Sequence, residues 1–140
     1  MKILPINNNY NQNFRSTLMP TRTLEKAFDF AEEKANKKFL VAVKSLLNDK
    51  QKRTIELTSG YFVSRDGVRY IKTKMMCNDE KKEYIAFPKT ISVDEAAAKD
   101  AQLLLIELAN VYGNTEYDGV HYTEIKTALK ELKNKIFTKK

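Results

Sequence analysis

His121 is the one histidine in this chain of 140 residues and Cys77 its one cysteine, so imidazole and thiolate chemistry have a single candidate each. His121 lies in YDGVHYTE, with Asp118 and Glu124 close by, the makings of a general base oriented by a carboxylate. The same pattern suits a connector histidine ahead of a helix start, and that is the expected role. A Cys77–His121 nucleophile pair would need two distant segments to meet, which nothing in their spacing requires. A cysteine closing a strand is more ordinarily a small buried hydrophobe. Asp79-Glu80 and Asp94-Glu95 lack the alternating spacing of a calcium loop and read as a turn and a helix cap. Gly60, Gly67, Gly113 and Gly119 are isolated from one another, so no glycine-rich loop cradles a phosphate. A lone cysteine also excludes an internal disulfide and a thiolate metal cluster. The residues predict a non-enzymatic protein without cofactor or metal.

Binding chemistry is better represented. In VRYIKTKMM the strand alternation places Val68, Tyr70, Lys72 and Lys74 on one face, with Arg69, Ile71, Thr73 and Met75 on the other. An aromatic beside two cations is what single-stranded nucleic acid binding uses. Arg65 and the carboxyl-terminal lysines extend that set. The net charge of +7 points the same way. Against it, only five of the 25 cations are Arg, the residue that forks onto phosphate and guanine. Lys, Asn, Ile, Tyr and Phe are abundant together, as AT-rich coding alone would produce.

The elements that must position these residues follow from periodicity. From Thr21 or Thr23, Leu24, Phe28, Ala31, Ala35, Phe39, Ala42, Val43 and Leu46 recur at helical spacing. They predict one long amino-terminal helix, or two with a hitch near Asn36-Lys37-Lys38. Ile55, Leu57, Tyr61 and Val63 alternate through the next segment, with Gly60 marking a bulge or bend. Arg65-Asp66-Gly67 reads as a tight hairpin. VRYIKTKMMC returns antiparallel, Asn78 to Lys82 turns, and Glu83 to Phe87 forms a third strand that Pro88 ends. SVDE, Ser92 to Glu95, is a capping box opening a helix apolar over much of its circumference, with Gly113 at its close. A last helix runs from about Thr123 to Phe137. The expected architecture is one α+β domain: a long helix, a three-stranded antiparallel meander, and two carboxyl-terminal helices packed on one sheet face.

Residues 1–20 read as a flexible Asn-rich leader and 21–140 as the single domain. In the leader, NNNYNQN separates the apolar MKILPI from Phe14. Ile3, Leu4, Ile6, Tyr10 and Phe14 are its candidate partner anchors, since aromatic and aliphatic groups give such an arm its affinity. Met-Lys-Ile followed by Asn-Asn-Asn and a Phe at position 14 resembles the start of a loose group of small uncharacterised proteins from uncultured gut bacteria. That resemblance implies no activity. The order α-β-β-β-α is similar to that of the double-stranded-RNA-binding domain, which needs lysines at the start of its last helix. Here Asp94 and Glu95 hold that position with only Lys99 nearby, so the family is not adopted. No apolar run approaches the roughly 18 residues of a membrane helix, and no signal peptide is recognisable. The whole reads as a cytoplasmic protein that binds another protein, its own kind or a different one. Nucleic-acid binding through Arg65, Tyr70, Lys72 and Lys74 is the alternative.

Overall fold

A computed structural model of the chain describes residues 16–49, 51–88, 91–113 and 124–137. Its elements are β1 (Thr17–Leu18), α1 (Arg22–Lys34), α2 (Lys37–Leu47), β2 (Thr54–Val63), β3 (Arg69–Cys77), β4 (Glu80–Ala86), α3 (Val93–Tyr112) and α4 (Ile125–Phe137). The fold is α+β, as its alternating and helical spacings predict. The sheet differs from the expected three strands: it has four, in the order β1-β2-β3-β4. The antiparallel meander of β2, β3 and β4 is joined by β1, which lies parallel to β2, so the sheet is mixed.

That fourth strand comes from the segment read as leader. The Thr17 amide donates to the Arg53 carbonyl and the Met19 amide to that of Ile55, both at 2.8 Å. Ser16 adds a hydroxyl bond to the Gln51 carbonyl, and Leu18 enters the core beside Ile55. Two residues are too few to show a period of two, which is why this strand left no mark in the sequence pattern.

The expected long helix is two. α1 closes with the Asn36 amide bonded to the Ala31 carbonyl at 2.9 Å and the Ala35 amide to that of Glu32 at 3.2 Å. This is the Schellman arrangement, with Ala35 in the left-handed conformation (φ 52°) where glycine is usual. Asn36 then caps α2 by accepting from the Phe39 amide, and its side-chain amide donates to Gln102 on α3. Asn competes well for backbone partners and so favours caps over helix interiors. The apolar spacing continues across the break because both helices bury the same side of the chain, Phe28 meeting Phe39 edge-on at 5.1 Å.

The β2–β3 turn carries Gly67 at φ 81°, and Asn78 at φ 56° serves a turn tighter than expected, with Cys77 paired directly to Glu80. β4 therefore starts three residues before the predicted Glu83. No bulge occurs at Gly60; its pairing with Lys72 belongs to an unbroken register. At the far end of α3, Gly113 is extended rather than left-handed. It is needed for space: a Cβ there would overlap Ser45 Oγ and the Ala109 carbonyl.

α1 and α3 lie on the sheet, α2 packs against α3, and α4 packs mainly against α1. Of the two carboxyl-terminal helices, then, α3 covers the sheet and α4 sits on other helices, correcting the expectation that both do. Leu129, Leu132 and Ile136 of α4 join Phe28, Phe39, Leu40, Leu46, Leu104 and Leu105 in the main core. Salt bridges from Lys133 to Asp29 and Lys130 to Glu32 pin α4 to α1.

The strained Ala35 yields a test. Left-handed backbone costs an alanine about 1–2 kcal/mol, partly offset by glycine's greater freedom in the unfolded chain. Ala35→Gly is expected to raise stability by about 1 kcal/mol, seen as a higher urea midpoint at unchanged slope.

Candidate functional site

The register of β2, β3 and β4 sorts their side chains onto two faces. Ile55, Leu57, Ile71, Met75 and Cys77 point into the helices. Among them Thr23 of α1 donates to Ser59, and Ser59 to Thr73, a hydroxyl chain that satisfies polar groups buried between sheet and helices. The opposite face is not covered by any described helix. Across it run four ranks: Glu56, Met76 and Lys81; Thr58, Lys74 and Glu83; Gly60, Lys72 and Ile85; then Phe62 and Tyr70.

Phe87, just past β4, completes the last rank. The Phe62 and Tyr70 rings stack at 4.5 Å between centroids with an interplanar angle of 27°. Tyr70 and Phe87 meet at 4.9 Å and 50°. Tyr70 is thus held in the middle of an aromatic row, while Phe62 and Phe87 remain 43% and 52% exposed. Ile85, 53% exposed, lies beside Lys72. On the other flank of Lys72, Gly60 contributes no side chain, and a Cβ there would touch nothing within 4 Å. Lys72 therefore stands over a notch next to the aromatic row. Arg65 is exposed on the β2–β3 turn at that same end of the sheet.

The predicted set Tyr70, Lys72 and Lys74 is brought together on this face. The lysines of α4 are not; that helix packs on the far side of α1, so they do not extend the patch. Phe62, Phe87, Ile85 and Lys81 were missed. The outward parity of Phe62 and Ile85 was readable, but only the cross-strand register shows that they flank Tyr70 and Lys72. Lys81 lies in the segment expected to turn, and Phe87 follows the end of β4.

The other candidates lie elsewhere. Ile3, Leu4, Ile6, Tyr10 and Phe14 are outside the described residues, as are Asp118 and His121. Glu124 accepts from the Lys126 amide, a local bond at the start of α4. Cys77 is buried; burial pushes its thiol pKa up, while the Arg53 charge acts the other way. Ser92 caps α3 by accepting from the Glu95 amide, and Asp94 accepts from the Tyr61 hydroxyl. Among the described residues no group of three or more His, Cys, Asp or Glu is placed to hold a metal ion. Nor, among them, is any helix long and apolar enough to cross a membrane.

Two polar clusters tie the sheet to α3. Arg53 pairs with Asp49 and lies 4.0 Å over the Tyr112 ring, whose hydroxyl reaches Glu80. Glu107 takes Lys82 as its ion-pair partner and the Tyr84 hydroxyl as donor, and both lower its pKa, Lys82 the more. That bond to Glu107, with burial second, pushes Tyr84 up to about 12.

Compared with known proteins, the chain matches no family model, no curated protein and no solved structure.

Tyr84 carries a pH prediction. Its folded pKa lies above the unfolded value near 10, so its contribution to stability is complete below pH 10 and fades as pH rises toward 12. Phenolate absorbance should show Tyr61, Tyr84 and Tyr112 titrating above the usual range, with the step near pH 12 removed in Tyr84→Phe. That variant should lose less stability than the parent between pH 10 and 12.

Proposed function

We propose that this is a small non-enzymatic binding protein whose ligand surface is the open sheet face, and that the ligand is single-stranded nucleic acid. The observation that carries this reading is the row Phe62–Tyr70–Phe87 alongside Lys72 and Lys74 on an uncovered sheet.

The roles divide by exposure. Tyr70 stacks on Phe62 and meets Phe87 at a tilt, so it braces the row. Phe62 and Phe87 keep exposed surface on which unpaired bases stack, each contact contributing about 1–3 kcal/mol. Lys72, Lys74 and Lys81 run down the face from the row, and Arg65 stands at its other side. Together they offer a path for a phosphate backbone. Glu56 and Glu83 share the face and moderate its charge, which favours modest, salt-sensitive affinity. A duplex is a poorer fit, because its bases are stacked on each other and unavailable to the rings.

Short oligothymidylate at low salt, followed by fluorescence anisotropy, tests this. Phe62→Ala and Phe87→Ala are each expected to weaken binding by about 1–3 kcal/mol. The logarithmic salt slope should be about −2 to −3 for three or four phosphate contacts, and Lys72→Ala with Lys74→Ala should flatten it by about 1.4. No binding at low salt, or equal binding by these variants, defeats the proposal.

A further inference from the structure

We infer that the cavity between α2 and α3 is a second, separate ligand site, suited to a medium-chain carboxylate whose tail lies along the helices and whose head meets Lys37 and Lys38. The cavity has a volume of about 470 Å³, within the range of small-molecule sites. Its apolar lining is Val41 and Ala42 from α2 with Ile106 and Ala109 from α3.

The two helices run side by side in the same direction, since Asn36 bonds Gln102 near one end and Ser45 abuts Gly113 near the other. From Lys37 to Ser45 the trough is about 12 Å long at the helical rise per residue, the span of an extended decanoyl chain. Ser45 and Asn110 also line it, and among the described residues no carboxylate does.

Charge then orients the occupant. Lys37 and Lys38 form the first turn of α2, which carries no acidic residue. A helix begins with partial positive charge and ordinarily attracts acids there. Two ammonium groups added to that end leave a cationic mouth on an apolar trough, and an anionic head on an alkyl tail complements both. This site lies on the helical side of the molecule, away from the open sheet face, and is independent of nucleic-acid binding.

Titration calorimetry of the full chain with decanoate, kept below its micellar concentration, tests the inference against decanol and decylammonium. One decanoate should bind per chain, decanol about tenfold more weakly, in keeping with a charged hydrogen bond, and decylammonium not at all. Lys37→Glu with Lys38→Glu should abolish the preference for decanoate; acids in that turn suit the helix, so folding is retained. Methyl resonances of Ala42 and Ala109 should shift on binding. The inference is overturned by absence of decanoate binding, by equal affinity for decanol, by unchanged affinity in the double variant, or by shifts confined to Ile85 on the sheet face. Unaltered oligothymidylate binding in the double variant confirms that the two sites are distinct.

Discussion

The pairing of β2 with β3 runs without interruption from Ile55 opposite Cys77 to Val63 opposite Arg69. Side chains alternate along each strand, so this register assigns every residue of the sheet to one face or the other. One assignment gives α1 and α3 the surface of Ile55, Leu57, Ile71 and Met75 on which the core is built. The complementary assignment gathers Phe62 beside Tyr70 and Gly60 beside Lys72 on the side without helices. A slip of one residue would bury lysines and expose the core, so core formation and the candidate binding face rest on the same constraint.

The break at Ala35–Asn36 organises the helical side. A continuous helix from Arg22 to Leu47 would extend about 39 Å at 1.5 Å per residue. By ending α1 and recapping at Asn36, the chain turns α2 onto α3, and the Asn36–Gln102–Ala27 hydrogen bonds hold the three helices together at that corner. Gly113 allows α3 to close against Ser45 at the other end. The trough between α2 and α3 is a product of that arrangement, and so is the cationic first turn at its mouth. The left-handed Ala35 shows that the corner's packing outweighs a local backbone preference.

Much of the fold was legible because its period was long enough to read. The helices α3 and α4, the hairpin at Gly67 and the sorting of β2 and β3 side chains into two faces all follow from spacing. β1 was not legible, being two residues whose only signature is a buried Leu18 and bonds to a segment 36 residues later. The placement of α4 was not legible either. Its stripe of Leu129, Leu132 and Ile136 says that one side is buried, not whether sheet or helix buries it.

The candidate face divides in the same way. Sequence alone determined that Tyr70, Lys72 and Lys74 share a side, because alternation within a strand is a local property of extended backbone. Only the tertiary structure decided that this side is the bare one, that Phe62 and Phe87 flank Tyr70, and that the α4 lysines lie elsewhere. Those outcomes depend on register between strands and on which face the helices choose, and both are set by packing between residues far apart in the chain.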